Sequence, residues 1–586
     1  MTTLAFSAGL SALAYQPLAA AAAPLASGPI PAAFTPETSP VAGSLAISAL
    51  IATLPLLTVF ITLGVLRWKA HWAGLSGLAV AIAVAVAAFK MPAGLALLSA
   101  TEGAVFGIFP ITWIVLTAIW LYQITVVSGR FEDLRQTFNL ISDDPRVQAI
   151  LIAFCFGGLL EALAGFGAPV AITGVMLMAV GFSALRAAIV VLLANTAPVA
   201  FGAIAIPIIT AGNLTGIDYH EIGAYVGHQT PFLAAFVPLL LVLMADGKRG
   251  LKQTWPVAVP IGLAFAVAQW VSATWISVEL TDIVASLAGL AVGVVVLRFW
   301  QPVGRADALE RMAEERRSET TKFGLTLPDV DHSANKRISN GRIWMALFPY
   351  ILVIIIFSLA KLWAPLSSFL AGTDLKIAWP GLHGQVLNAA GNPVTSTIYN
   401  FQWLSSPGTL LLFTGIIVAI VYKVSAKDAV GEFTATVAKL KFTFLTIGSV
   451  LALAYVMNLS GQTVAIGTWI AGTGAAFAYF SPVLGWLGTA VTGSDTSANA
   501  LFATLQQTAG QQAGIDPTLL VAANTSGGVV GKMISPQNLT IAATAVGLIG
   551  RESDILRKVI GWSIGMLIAL CLLVGLQSTV LSFLLP

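Results

Sequence analysis

ANTAPVAFGAIAIP, residues Ala194 to Pro207, and ANTSGGVVGKMISP, residues Ala523 to Pro536, are the two stretches whose reading decides the fold. In each, an Ala-Asn-Thr triplet is followed at the same offsets by a glycine, Gly202 or Gly531, and a proline, Pro207 or Pro536. Both copies lie inside apolar runs, 184–212 and 517–549, that exceed the ~20 residues a helix needs to cross a bilayer. Asn and Thr side chains compete with the helix for backbone hydrogen bonds, so an interruption at the Asn-Thr position accounts for the excess length in both. Each copy also comes after a small-residue hairpin by nearly the same distance, Gly165 to Asn195 and Gly493 to Asn524.

The rest of the chain agrees with a membrane setting. Of 586 residues, 57% are hydrophobic and 9% charged, which excludes a water-soluble globule. A net charge of +3, dispersed along the chain, excludes a nucleic-acid footprint. Outside the two repeat runs, spanning-length apolar runs fall at 48–66, 72–89, 104–127, 231–246, 255–275, 281–299, 343–363, 408–423, 441–459 and 556–582. They are expected to be helices, since the lipid interior requires each segment to satisfy its own backbone and no strand-like alternation appears.

Basic residues set the orientation. Arg67 and Lys69, Arg130, Arg135 and Arg146, then Lys248, Arg249 and Lys252 mark cytoplasmic loops, as do the 300–342 loop, Lys423 to Lys441, and Arg551 to Lys558. The segment 213–230 carries no Lys or Arg, and 364–405 only Lys376, so both are expected outside. The stretches 148–182 and 464–510 must each enter and leave on one side, the first from the cytoplasm and the second from outside. They are expected to be re-entrant hairpins, which inverts the two halves relative to each other. The expected organisation is an all-α polytopic membrane protein of about twelve spans plus two hairpins. A disordered Ala/Pro-rich extension occupies 1–43, a first half 44–299, a cytoplasmic loop 300–342 and a second half 343–586.

Inverted repeats with interrupted helices are the architecture of secondary transporters, which hold substrate near the midplane. Ionisable groups at that depth are costly and therefore candidates for function. Glu161 precedes the first hairpin tip, Asp495 lies in the second, and Lys532 lies beyond Asn524 by about 12 Å if helical. A deep ammonium suits a carboxylate ligand, and a buried carboxyl can carry a proton. The plainer alternatives are an ion pair of Lys532 with Asp495 or Glu161 that only fixes the hairpins, and Asn195 and Asn524 that merely join helices. Arg186, Lys90 and Lys361 lie near predicted helix ends and are expected to snorkel, while Glu102 is left between an interfacial and a proton-path role.

FCFGGLLEALAGFGAPVAI at Phe154, ANTAPVAFGAIAIP at Ala194, TGSDTSANALF at Thr492 and AANTSGGVVGKMISPQN at Ala522, with RWKAH at Arg67, resemble the lactate permease family from about Pro55 to Ile564. The resemblance implies proton-coupled symport of L-lactate, glycolate and related 2-hydroxy monocarboxylates across the bacterial inner membrane. The chain departs from the pattern at Ala162, where glycine is expected, and in its long leader.

The expected substrate site comprises Asn195, Thr196, Ser494, Thr496, Asn524, Thr525, Ser526 and Lys532. Glu161 and Asp495 are the expected proton carriers, and Gly165, Gly167, Gly493 and Gly527 are expected to permit close backbone approach. Sodium in place of the proton is the main alternative, and a channel or membrane-embedded enzyme the remote ones. There is no HExxH pair, GxxxxGK[ST] loop or Cys/His cluster, so no metal or cofactor is expected.

Overall fold

The structure is a computed structural model that describes residues 33–586 apart from 67, 140, 166, 324–338, 389–390 and 550. Most of the expected N-terminal extension, Arg67 and Phe166 therefore lie outside the described residues. Ten helices among the described residues are long and apolar enough to cross a membrane, or eleven if the bent pair Ala184–Ala194 and Val199–Thr215 is one span.

The expected count of twelve differs through continuity. The runs at 231–246 and 255–275 fall within one stretch, Val237–Val271, but non-helical backbone at Asp246 and Gly247 divides it into two helices, as expected. The run at 408–423 gives the shorter helix Pro407–Val421. Residues 517–549 divide into Pro517–Gly531 and Pro536–Ala545. Pro145–Leu163 and Gly474–Thr492, which include hairpin arms, are long enough to be counted among the ten.

The first hairpin rises through a π-helical stretch, Ile150–Phe156, and Gly157–Ala164, turns at Gly165 and Gly167, and returns as Ala168–Val180. Gly165 and Gly167 have φ of 34° and 85°, a backbone region that residues with a Cβ disfavour. The second hairpin is Phe477–Thr492 and Asp495–Ala513, with its turn at Gly493, φ 76°, and Ser494. This corrects the expected limits of 464–510: residues 464–471 belong to a separate helix, Gln462–Ala471.

The two halves interlock reciprocally. Ala168–Val180 packs on Pro536–Ala545 of the second half, and Asp495–Ala513 packs on Gly202–Thr215 of the first. Buried small residues make the second half tight: a Cβ on Gly527 would stand 2.0 Å from the Pro482 carbonyl oxygen, and one on Gly485 1.8 Å from that of Asn524.

The two interrupted spans break differently. In the first, the helix stops at Ala194 and Pro198 cannot continue it. A short turn, Val199–Phe201, comes next, then Ala203, Ile204 and Ala205 adopt left-handed φ values of 46°, 60° and 56° before the helix resumes. In the second, the helix runs uninterrupted from Pro517 to Gly531 through Asn524 and Thr525, which overturns the expected break there. The interruption falls at Lys532–Ile534 instead, and Ser535 caps the next helix by accepting from the Asn538 amide, with Pro536 in its first turn.

At the end expected to face the cytoplasm, the loop helix Arg305–Phe323 is docked on the base of the first hairpin. Arg311 grips Asp246 through two nitrogens at 2.9 and 2.7 Å, and Asp246 also accepts from the fully buried Arg146, which is paired with Asp144 at 2.7 Å. Arg316 donates to the Met178 carbonyl and Arg186 pairs with Glu315 at 2.6 Å. The segment expected outside carries an element that the all-α expectation did not include, an antiparallel strand pair Leu375–Ala378 and Ile398–Phe401. Phe34 bridges to Val386 beside it, so the described chain before residue 44 has backbone partners.

Candidate functional site

Both hairpin tips and both interruptions meet at one small pocket. It is lined by Glu161 and Gly165 from the first hairpin, and by Gly493, Ser494, Asp495 and Thr496 from the second. Gly202, Ala203 and Pro207 come from the first interruption and Lys532 from the second. Its volume is about 30 Å³, room for one or two waters. A larger cavity of about 180 Å³ lies between Asn213, Val386, Tyr455 and Thr504. Its lining carries no ionisable group other than the Tyr455 hydroxyl, so the charged pocket is the better candidate for an anion.

Lys532 donates to Glu161 at 2.6 Å, and Asn195 donates to the other oxygen of the same carboxylate at 2.9 Å. All three are buried. Gly202 leaves the space for this arrangement, because a Cβ there would stand 2.9 Å from Glu161 Oε1. Lys532 sits where the second helix tightens and stops, which frees its carbonyl to accept from Ser535 and Asn538. The first interruption is satisfied from elsewhere in the fold. Gln269 donates to the Ala197 carbonyl at 3.1 Å and Asn499 to the Pro207 carbonyl at 3.2 Å, as backbone buried in an apolar setting requires.

Asp495 begins the returning arm of the second hairpin, where the partial positive charge of a helix start favours an acidic group. One of its oxygens accepts a long bond from Thr489, 3.4 Å, and the other has no hydrogen-bond partner among the described residues. Gly528 makes room for it, since a Cβ there would fall 1.9 Å from Asp495 Oδ1.

Of the residues singled out in the sequence, Glu161, Gly165, Gly493, Ser494, Asp495, Thr496 and Lys532 line the pocket, and Asn195 reaches it through Glu161. The structure does not bring Thr196, Asn524, Thr525 and Ser526 to it. Thr196 bonds the Leu193 carbonyl. Asn524 and Thr525 both donate to Asn499 Oδ1, at 2.9 and 3.1 Å, and Ser526 donates to Gln229. Gly167 packs against Ile541, and Gly527 serves the seam with Pro482.

Sequence reasoning missed the buried amides Gln229, Gln269, Asn499 and Gln506, which bind the framework around the pocket. It also missed Asp282, buried near the start of Thr281–Phe299. Asn499 stands in the quoted TGSDTSAN string, so its polarity in an apolar arm was an available signal. Among the described residues no group of three or more His, Cys, Asp or Glu is placed to hold a metal ion.

A family profile described as L-lactate permease matches residues 48–581. The L-lactate permease of Bacillus subtilis (strain 168) is 41% identical over 570 residues, covering 94% of this chain and 100% of the relative. Glycolate permease GlcA of Escherichia coli (strain K12) is 43% identical over 532 residues, covering 89% and 94%. The L-lactate permease of the same strain is 41% identical over 557 residues, covering 93% and 98%. With a match across nearly its whole length and a multi-pass helical architecture built around a charged central pocket, the chain belongs to the L-lactate permease family of membrane transporters.

Proposed function

We propose that this permease carries L-lactate, glycolate and related 2-hydroxy monocarboxylates into the cell together with a proton, across the bacterial inner membrane. The observation that carries the reading is the buried Lys532–Glu161 pair between the two hairpin tips. A substrate carboxylate can take the place of the Glu161 carboxylate on the Lys532 ammonium. Glu161 would then be left as an uncompensated buried charge, which is strongly unfavourable. Protonation removes that charge, so binding the anion and binding the proton favour each other. Ser494 and Thr496, at the second tip, are within the same pocket and are suited to the 2-hydroxyl. Asp495 is the alternative proton carrier, with a carboxyl oxygen that no group engages among the described residues.

Coupling also has an energetic rationale. Bringing a monovalent anion in against an interior-negative potential costs about 2.3 kcal/mol per 100 mV, and a co-transported proton cancels that charge movement. A pocket of about 30 Å³ does not admit a three-carbon hydroxy acid, so the hairpin tips must part for substrate to reach Lys532. The polar groups outside the pocket take the supporting part. Asn524 and Thr525 hold the second hairpin through Asn499, and Ser526 holds Gln229 of the first half.

The test is uptake of labelled lactate and glycolate by proteoliposomes under an imposed pH gradient, with and without sodium. Uptake that saturates, tracks the pH gradient and ignores sodium is the expected result. Uptake driven by sodium alone would replace the proton with sodium, and non-saturating flux would indicate a pore.

A further inference from the structure

Asp282 is fully buried in Thr281–Phe299, the helix that packs against the arm of the first hairpin carrying Glu161. The two helices meet at Gly158 and Ser286, where a Cβ on the glycine would stand 2.3 Å from the serine oxygen. They run in opposite directions in the expected topology. About one turn further along each, roughly 5 Å, brings Glu161 on one level with Asp282 on the other. Asp282 is within electrostatic reach of both Glu161 and Lys532.

One Asp282 oxygen accepts from Gln269 at 3.4 Å, and the other has no hydrogen-bond partner among the described residues. The same Gln269 nitrogen holds the Ala197 carbonyl in the first interruption. Three buried carboxyls, Glu161, Asp282 and Asp495, thus surround a single ammonium, Lys532, which compensates only one of them. The other titratable groups of the surrounding elements are occupied or remote. Glu279, one turn towards the expected outer face, accepts from Tyr219 and Ser277, both at 2.7 Å. Cys155 lies two turns inward beside Gly289, and Arg298 and the Asp246 to Lys252 group stand at the opposite end of the helices.

We propose that Asp282 is the proton relay of this transporter, a buried carboxyl that hands its proton to Glu161 when substrate displaces Glu161 from Lys532. The O–H bond at Asp282 breaks and one forms at the Glu161 oxygen vacated by Lys532. Asp282, left as a carboxylate, regains a proton from the outer water before the next cycle. Each cycle takes one proton from outside and delivers one inside when Glu161 returns to Lys532. The Gln269 contact ties this event to the first interruption, so loss of the Asp282 proton bears on the backbone there.

This inference rests on the proposed lactate–proton reading and is tested apart from it by comparing two rates in proteoliposomes. One is exchange of labelled for unlabelled lactate, which requires no net proton movement, and the other is net uptake driven by a pH gradient. In Asp282→Asn the ratio of exchange to net uptake is expected to rise about tenfold or more, because proton transfer by a positioned group is worth at least that much. Asp282→Glu is expected to bring the ratio most of the way back. An unchanged ratio in Asp282→Asn, whether both rates persist or both fall together with no recovery in Asp282→Glu, overturns the relay. A wild-type protein inert in both assays overturns the substrate reading, and the relay with it.

Discussion

The two Ala-Asn-Thr copies have the same spacing and different structures. In the first, the helix ends at the Asn, whose amide grips Glu161 at the pocket. In the second, the helix passes through the Asn, whose amide is committed to Asn499, and the interruption is delayed to Lys532. The difference lies in the residues just downstream of each motif. Pro198 comes three residues after Asn195 and forbids continuation, whereas small Gly527 and Gly528 come after Asn524 and permit the helix to press on the hairpin beside it. One repeated pattern thus serves two ends: the first copy faces the carboxyl with an amide, and the second delivers the ammonium.

The sharpest way to break this comparison is to remove the ammonium. Lys532→Ala is expected to lower lactate uptake about a hundredfold, since losing one partner of a buried charged contact typically costs binding about 2–5 kcal/mol. Adding Glu161→Gln should recover thermal stability in detergent while leaving uptake lost; recovery of uptake would show that the pair is only a structural tie.

Glycine replacement probes the two copies next. Gly527→Ala drives a methyl into the Pro482 backbone and is expected to destabilise by about 1–3 kcal/mol, seen as a lower unfolding temperature. Gly202→Ala meets only the flexible end of Glu161, so it should reduce uptake with a smaller change in unfolding temperature. Equal temperature shifts would erase the distinction.

The two asparagines should separate in the same sense. Asn524→Ala removes the bonds that its amide gives to Asn499 and the Ala498 carbonyl, leaving Thr525 on Asn499 Oδ1, and is expected to lose about 1–2 kcal/mol of stability. Asn195→Ala is expected to lose less stability and more transport, with an altered pH profile of uptake. The smallest effect is assigned to Ser526→Ala, which forfeits one bond to Gln229, worth about 1 kcal/mol, and should leave discrimination between lactate and propionate unchanged. A lost preference for the hydroxy acid would return Ser526 to the binding surface.

Much of this was legible in the residues. Charge is so sparse in the apolar runs that Glu161, Asp495 and Lys532 stand out, and the structure gathers all three around one pocket. Both hairpin tips were marked by glycines that the structure uses at positive φ. The second interruption was misplaced because Asn and Thr are only competitors for the helix, while the stronger stop is the Ser535-Pro536 cap, itself readable as a helix start. Asp282 was missed because it opens an apolar run, where an acid normally sits at the interface. Only the packing of its helix on Gly158 through Ser286, and its own contact with Gln269, put it in the interior. The partners of the amides were beyond sequence for the same reason, since Gln269 to Ala197 and Asn499 to Pro207 join segments far apart in the chain.

The reversed turn at Ala203 to Ala205 has a mechanical consequence. Residues with a Cβ pay about 1–2 kcal/mol each for the wrong screw sense, so this short stretch is a wound spring held shut by its neighbours. Unwinding it to the ordinary hand must swivel the rod beyond it, and the second hairpin with it through Asn499 and Pro207. Charge rearrangement beside Gly202 is thereby expected to be geared to a rotation shared by both halves. Spin-label distances across this joint that stay fixed when lactate is added would remove the gearing.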